Sequence, residues 1–471
     1  MTATGPIDHD ASPARRSRTF GTTLVVVTLA ALAVRVAWVL IARRDFALHG
    51  DDYFYHWQAN ALADGMGFIN PLSWKALGRI DPSAAHPPLY ALYLAGVSVL
   101  GGTSALAHRL ASCVLGAAAV AVVGLTGRRI AGERAGLIGA VLAAVYPMLW
   151  INDGMLVSES LYVLLIAAVL LAAYRFWDNR TLGAALLLGA MIGLAALTRP
   201  EAVLLVPLVG VPFLFSGHAD MRRRVYGVLA IGAACLLVIL PWWVRNLTTF
   251  EKPTFLATGH GSVLQSANCD QTYSGQFLGY WDIDCILEGR PPQNQQQEEL
   301  LHSETVPAVA YLLAQDPRDE SIPDARARTK AVRYIRDHLG RAPVVALARV
   351  GRVWGAFRVE QQVNFDDFFE RRGRATSWTG TWMYYALLPF SVYALVVMRR
   401  CRRPISPMVA IVVMVTVTAA ISIGITRYRV GADVMLTILG GVGIDALWRR
   451  LRRPPAAEPD PPAVEPELVT S

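Results

Sequence analysis

The sequence predicts an all-α polytopic membrane protein, and three observations carry that prediction. Of its 471 residues, 54% are apolar and only 17% charged, and the mean hydropathy is +0.37, too apolar for an ordinary soluble domain. Apolar runs of about the length of a membrane span recur along the chain. Between them the arginines gather in short clusters, the pattern of cytoplasmic loops that face anionic lipid. The formal charge of +8 therefore points to membrane lipids as a partner and not to nucleic acid. Lysine occurs only at Lys75, Lys252 and Lys330, so nearly all the positive charge is arginine.

Residues 1–19, with Pro13, Arg15, Arg16 and Arg18, read as a disordered cytoplasmic N-terminus. The apolar run from Phe20 to Ala42 is about span length and lacks the small-residue cleavage pattern of a signal peptide. With the arginines inside, this run delivers Asp51 and Asp52 to the outer side. Further spans are expected near 104–126, 133–150, 159–175, 182–197, 201–215, 225–244, 381–398, 406–425 and 431–448, about ten with the first. That count puts the clusters around Arg128, Arg175, Arg223, Arg400 and Arg450 on the same side as the N-terminus. It requires Pro87 to Leu100 to stop short of a span; the segment makes about 21 Å of helix against a core of about 30 Å. The break Thr198-Arg199-Pro200-Glu201 separates two spans, because proline ends or kinks a helix and charges are unwelcome at mid-bilayer.

Two outer loops follow, 43–103 and 245–380. The first contains His49-Gly50-Asp51-Asp52-Tyr53 and Ala85-His86-Pro87-Pro88-Leu89-Tyr90. The second opens on Pro241-Trp242-Trp243-Val244-Arg245-Asn246, an aromatic belt with an arginine at the interface. The Gln-rich stretch 293–297 reads as a mobile loop. Residues 328–357 set Val332, Ile335, Leu339, Val345, Leu347, Val350 and Val353 at helical spacing among arginines, which suits an amphipathic helix along the membrane surface, broken at Pro343. Cys269 and Cys285, both on the outer side, are expected to form a disulfide worth about 3 kcal/mol in the loop-entropy picture. Cys113, Cys235 and Cys401 lie in or beside apolar segments and read as buried thiols. The tail 451–471, rich in proline and glutamate, reads as cytoplasmic disorder.

Acids and cations converge on the outer face. The acids are Asp51, Asp52, Asp153 and Glu159; the cations are Arg199, Arg245, Lys252, Arg427 and Arg429, with His86 as a further candidate. Such a set suits a reaction in which a carboxylate removes a proton while cations receive a departing phosphate. Plainer roles stand beside these. Asp51, Asp52 and Glu159 each suit a helix N-terminus, Arg199 and Glu201 can pair with one another, and Arg245 and Lys252 can anchor lipid headgroups.

In their order and shared sidedness, six elements resemble the GT-C superfamily of membrane glycosyltransferases. These are the Asp-acid-Tyr element after the first span, His-Pro-Pro-Leu-Tyr, Ser158-Glu159 at the mouth of a later span, Thr-Arg-Pro-Glu, Pro-Trp-x-x-Arg-Asn and the final Arg427-Tyr428-Arg429. The pattern is most similar to family 39 enzymes related to protein O-mannosyltransferases and to the lipid A aminoarabinose transferases, over roughly residues 20–450. The resemblance implies a GT-C-type helical bundle with extracytoplasmic juxtamembrane helices and a sugar donor carried on polyprenyl phosphate. It matches Asp51 to the catalytic acidic position, Asp52 to its usual Glu neighbour, Glu159 to the second-loop acid, and His86 to a site where relatives place His or Lys. The Asp-Asp pair in place of the commoner Asp-Glu leaves open which carboxylate is the base. A lipid phosphate leaves as a stable anion and needs cations, here His86, Arg245, Lys252, Arg427 and Arg429; the planar arginine fork donates two hydrogen bonds at once. Two adjacent aspartates can ligate a divalent cation, but the resemblance implies no metal and no cofactor is expected. The expected activity is an inverting transfer of a sugar to an extracytoplasmic acceptor, at a multi-pass cell membrane protein with both termini cytoplasmic. The alternative is a transporter or flippase of lipid-linked sugars, which would favour charges at the midplane and repeated halves, and neither is visible.

Overall fold

The computed structural model describes residues 13–216, 220–287 and 316–452 and positions 292, 294, 295 and 298. Within the described residues the elements are helices, and the one strand-like pairing is the isolated bridge between Ile69 and Pro82. Among the described residues six helices are long and apolar enough to cross a membrane: Arg18–Arg43, Ala105–Ala131, Glu159–Asn179, Met221–Thr249, Arg374–Arg400 and Thr426–Leu451. A seventh is formed if Glu133–Val145 and Pro147–Gly154, bent by 64° at their junction, count as one; Pro147 cannot donate the backbone hydrogen bond that would continue the helix.

Three of the expected spans are shorter apolar helices, Leu182–Ala196, Pro200–Leu214 and Ser406–Ile421. With 15 and 16 residues, Leu182–Ala196 and Ser406–Ile421 extend about 23 Å, less than the hydrocarbon core of about 30 Å. The expected ten thus resolve into six or seven full-length spans and three shorter helices. Leu89–Val99 has 11 residues and stays short of a span, as expected. The first helix begins at Pro13, ahead of the expected Phe20, with proline in the first turn where its missing N–H costs nothing. Residues 1–12 and 453–471, and most of 293–297, lie outside the described residues.

Small residues let the spans approach closely, as membrane helix packing requires. A Cβ on Gly136 would overlap the Gly124 carbonyl, which locks Glu133–Val145 against Ala105–Ala131. The last span is buried almost continuously from Val430 to Val442, between Glu133–Val145 and Arg374–Arg400.

The polar regions fold into short helices at one end of the bundle. The first loop gives Asp51–Ala63 and Pro71–Leu77; the second gives His260–Ala267, Ser321–Asp337, Ala342–Val353 and Val359–Phe368. The amphipathic stretch is divided as expected, with Pro343 in the first turn of its second half. Its apolar positions do not share one face: Val345 and Val353 are buried, whereas Leu339 and Leu347 are exposed. Cys269 and Cys285 are joined in a disulfide, with Cα atoms 6.1 Å apart. Beside it, Ala267, Tyr280, Ile423 and Ile425 form a small core that ties this region to the turn before the last span. Cys113 and Cys235 are buried, but Cys401 is exposed, just past the end of Arg374–Arg400.

Candidate active site

Asp51 and Asp52 open the helix Asp51–Ala63 after Gly50, whose φ of 55° turns the chain sharply. Carboxylates in a first helical turn are favoured by the helix dipole, yet these two side chains do different things. Asp52 is buried and folds back, its Oδ1 accepting from the amides of His49 and Tyr53, the latter at 2.9 Å. Burial pushes its carboxyl up to about 7, against the pull of the His49 amide and Arg109. Asp51 points the other way. Its Oδ2 is 2.5 Å from Arg427 Nη2, and its Oδ1 is 3.6 Å from His86 Nε2. Burial alone would raise Asp51, but Arg427, His86 and Arg199 together hold it well below the usual carboxylate range.

Arg427 sits in the turn Thr426–Arg429 that starts the last span. Its guanidinium reaches three carboxylates from three separate stretches of the chain. Besides Asp51, it donates to both oxygens of Glu159, from Nη2 to Oε2 at 3.0 Å, and its Nη1 is 3.7 Å from Glu370. Glu159 is fully buried at the first position of Glu159–Asn179 and is also paired with Arg199, which in turn bonds Glu201 at 2.6 Å. The Thr198–Glu201 break therefore feeds the same network. His86 packs edge-on against Phe54 and beside Tyr55, with ring centroids 4.7 and 4.9 Å away. Burial, with Arg427, lowers the His86 imidazole below its ordinary value despite Asp51 and Glu159. Four carboxylates thus surround two guanidiniums. An anion that binds the Arg427 guanidinium must compete with these carboxylates for it.

A sequence profile of dolichyl-phosphate-mannose-protein mannosyltransferases matches residues 85–244, a stretch that contains His86, Glu159 and Arg199. Lipid A galacturonosyltransferase RgtD of Rhizobium johnstonii is 29% identical over 163 residues, 34% of each protein. Among solved structures, the archaeal oligosaccharyltransferase AglB from Archaeoglobus fulgidus, in complex with an inhibitory peptide and a dolichol-phosphate, superposes with a TM-score of 0.54 at 14% identity. That superposition covers 93% of this chain and 51% of AglB, so the chain spans about half of that protein's length. ArnT from Cupriavidus metallidurans bound to undecaprenyl phosphate gives a TM-score of 0.37 at 15% identity, over 92% of this chain and 78% of that one. The chain has the GT-C fold.

Within this GT-C bundle the other sequence candidates lie elsewhere. Arg429 is buried and turned into the bundle, bonded to Asp433 at 3.1 Å and lying 3.8 Å over the Tyr384 ring. Arg245 donates to the carbonyls of Ser83 at 3.0 Å and Phe68 at 3.2 Å, bracing the first loop. Lys252 pairs with Glu251 at the surface, at 2.6 Å. Asp153 is buried against Arg35 of the first span at 2.9 Å. Gly116 makes that pair possible, since a Cβ there would overlap both side chains. Among the described residues no group of three or more His, Cys, Asp or Glu is arranged to hold a metal ion, and Asp51 and Asp52 point apart.

Three residues that matter here gave no motif in the sequence. Arg35 is one arginine inside an otherwise apolar span, and an intramembrane charge is itself a signal that a partner exists. Glu370 hides in the charged run Asp366-Asp367-Phe368-Phe369-Glu370-Arg371-Arg372. Glu320 accepts from the Ala84 amide, the Ser83 hydroxyl at 3.0 Å and the Thr258 hydroxyl at 2.6 Å, and so holds the segment leading to His86.

Two outcomes follow from these placements. Asp153→Ala leaves Arg35 buried without its counter-ion and is expected to destabilise the protein by about 3–5 kcal/mol, read as a lower thermal midpoint in detergent; the double change Arg35→Met with Asp153→Leu is expected to recover most of that loss. Asp52 takes up a proton in the folded protein between about pH 4 and about pH 7 that the unfolded chain does not. Its contribution to stability therefore falls as pH rises through that window, and Asp52→Asn is expected to flatten this slope in thermal midpoints measured across it.

Proposed function

We propose that this chain is an inverting glycosyltransferase that moves a sugar from a polyprenyl-phosphate donor to an acceptor at the outer face of the membrane. The observation that carries this reading is the direct contact of Asp51 with Arg427, a candidate base beside a candidate phosphate ligand, with Glu159 buried behind them. The mannosyltransferase profile, the galacturonosyltransferase relative and the fold shared with a dolichol-phosphate-bound oligosaccharyltransferase support it. The arginine clusters at the opposite ends of the spans, and a disulfide in the same region as Asp51, support the outward orientation.

In the reaction the acceptor hydroxyl attacks the anomeric carbon, and the bond from that carbon to the phosphate oxygen breaks with its electron pair going to phosphate. Asp51 accepts the hydroxyl proton, and polyprenyl phosphate departs as an anion. A direct displacement inverts the anomeric centre. Arg427 links the two events. When a donor phosphate takes its Nη2 from Asp51, the strongest neighbour holding Asp51 unprotonated is withdrawn and the carboxylate becomes a better base. Glu159 acts as a positioning residue that fixes Arg427 and Arg199 by charge-assisted hydrogen bonds. His86, packed against Phe54 and Tyr55 and 3.6 Å from Asp51, is placed to donate to phosphate.

The test is release of polyprenyl phosphate from a panel of polyprenyl-phosphate sugars by the purified protein, in the presence of cell-envelope glycan and lipid fractions. Release that depends on an acceptor fraction supports transfer. Binding of donors without turnover in any fraction would overturn it.

A further inference from the structure

The helix Ser321–Asp337 carries Arg326, Arg328, Lys330, Arg333 and Arg336, all exposed. Its opposite side is tied to the protein. Ala327 and Ala331 are buried, Asp324 accepts from the Gly261 amide at 2.7 Å, and Tyr334 bonds Asp270 at 2.7 Å. Gly261 has no room for a Cβ against this helix, so the contact with His260–Ala267 is close and fixed. The cations are therefore held outward on a rigid support.

Arg326, Lys330 and Arg333 fall on successive turns of one side, about 5 Å apart along the axis. Arg328, Thr329, Val332, Arg333, Arg336 and a single acid, Asp337, line a shallow depression of about 600 Å³, so three cations outweigh one carboxylate there. Among the described residues none of these five cations forms an ion pair, although Asp337 lies in the same depression. The helix begins beside the site, since Glu320, the residue before it, bonds Ser83 and Ala84 just ahead of His86. From there it runs about 25 Å across the polar region. The neighbouring helix Ala342–Val353 is of another kind: it exposes Val344 and Leu347 and packs on the apolar helix Ser406–Ile421. Apolar exposure on that helix suits lipid, whereas five cations with little apolar surface suit a polyanion in water.

We propose that this cationic face binds the acceptor, and that the acceptor is a molecule bearing several anionic groups, phosphate or carboxylate, spaced about one helical turn apart. The proposal rests on the transferase reading for the role of acceptor, but its test needs no turnover. The full-length protein is placed in nanodiscs of phosphatidylcholine, and binding of fluorescent dextran sulfate is compared with that of uncharged dextran. Arg326→Gln, Lys330→Gln and Arg333→Gln together are expected to weaken dextran sulfate binding by about tenfold and to reduce its salt dependence. An equal neutralisation at the other end of the bundle, Arg222→Gln, Arg223→Gln and Arg400→Gln, is expected to change it less than about twofold. Equal losses in the two variants would mean unspecific attraction to a basic protein and would overturn the proposal. So would an outer variant that binds dextran sulfate normally but loses phosphatidylglycerol from mixed-lipid discs, because the face would then meet the bilayer. Failure of this binding test leaves the transferase reading intact, and failure to detect transfer leaves the binding result intact.

Discussion

Asp51→Asn is expected to lower transfer by about 10²–10⁴-fold, the range associated with losing a general base. The amide keeps the shape of the side chain and can still accept one hydrogen bond from Arg427, so the fold and the surrounding ion-pair network should persist. Donor binding should be no weaker and somewhat tighter, because in the resting protein Asp51 competes with phosphate for the same guanidinium nitrogen at 2.5 Å. Asp52→Asn separates the two neighbours. Its Oδ1 keeps the bonds from the His49 and Tyr53 amides, so transfer should stay within about tenfold of the original, a rise of no more than about 1.4 kcal/mol in the barrier. Turnover rates and donor affinities of both variants, measured side by side, decide which carboxylate takes the proton.

Arg427→Gln is the second large effect. It leaves Asp51, Glu159 and Glu370 without their common counter-ion and is expected to cost about 3–5 kcal/mol in stability, together with most of the donor affinity. Arg427→Lys keeps the charge and loses the planar fork. It should fold, with polyprenyl phosphate binding weakened by about tenfold or more, since a point charge cannot hold Glu159 and phosphate together as a guanidinium does. A lysine variant that binds polyprenyl phosphate normally would remove Arg427 from the donor site and return the phosphate to another cation.

The fold class was legible because a bilayer imposes long apolar runs, and arginine clusters report which ends share a side. The number of full spans was less legible. Leu182–Ala196 and Ser406–Ile421 are as apolar as true spans but shorter, and hydropathy marks their position better than their length. In the site, Asp51, His86, Glu159, Arg199 and Arg427 come together from five stretches that sequence order could only place on one face. Chain order does not tell which of two adjacent acids points into a pocket. That is decided by the turn at Gly50, which sends Asp52 back to the His49 amide and Asp51 outward. Nor does it distinguish Arg427 from Arg429, two residues apart, of which one faces the acids and the other pairs with Asp433 inside the bundle. Arg245 looked like a phosphate ligand because it stands at an interface, but its donors are taken by backbone carbonyls of the first loop, a use that leaves no trace in sequence.

Sidedness underlies all of this, because donor and acceptor can meet at Asp51 only if the loop after the first span faces outward. A cysteine at exposed Asp45, with Cys401 changed to serine, is to be labelled with a membrane-impermeant thiol reagent in intact cells, beside the unmodified protein in which Cys401 is the exposed thiol. The expected result is labelling of position 45 without permeabilisation and of Cys401 only after it. The reverse pattern would put Asp51 and Arg427 at the cytoplasmic face and contradict the proposed reaction there.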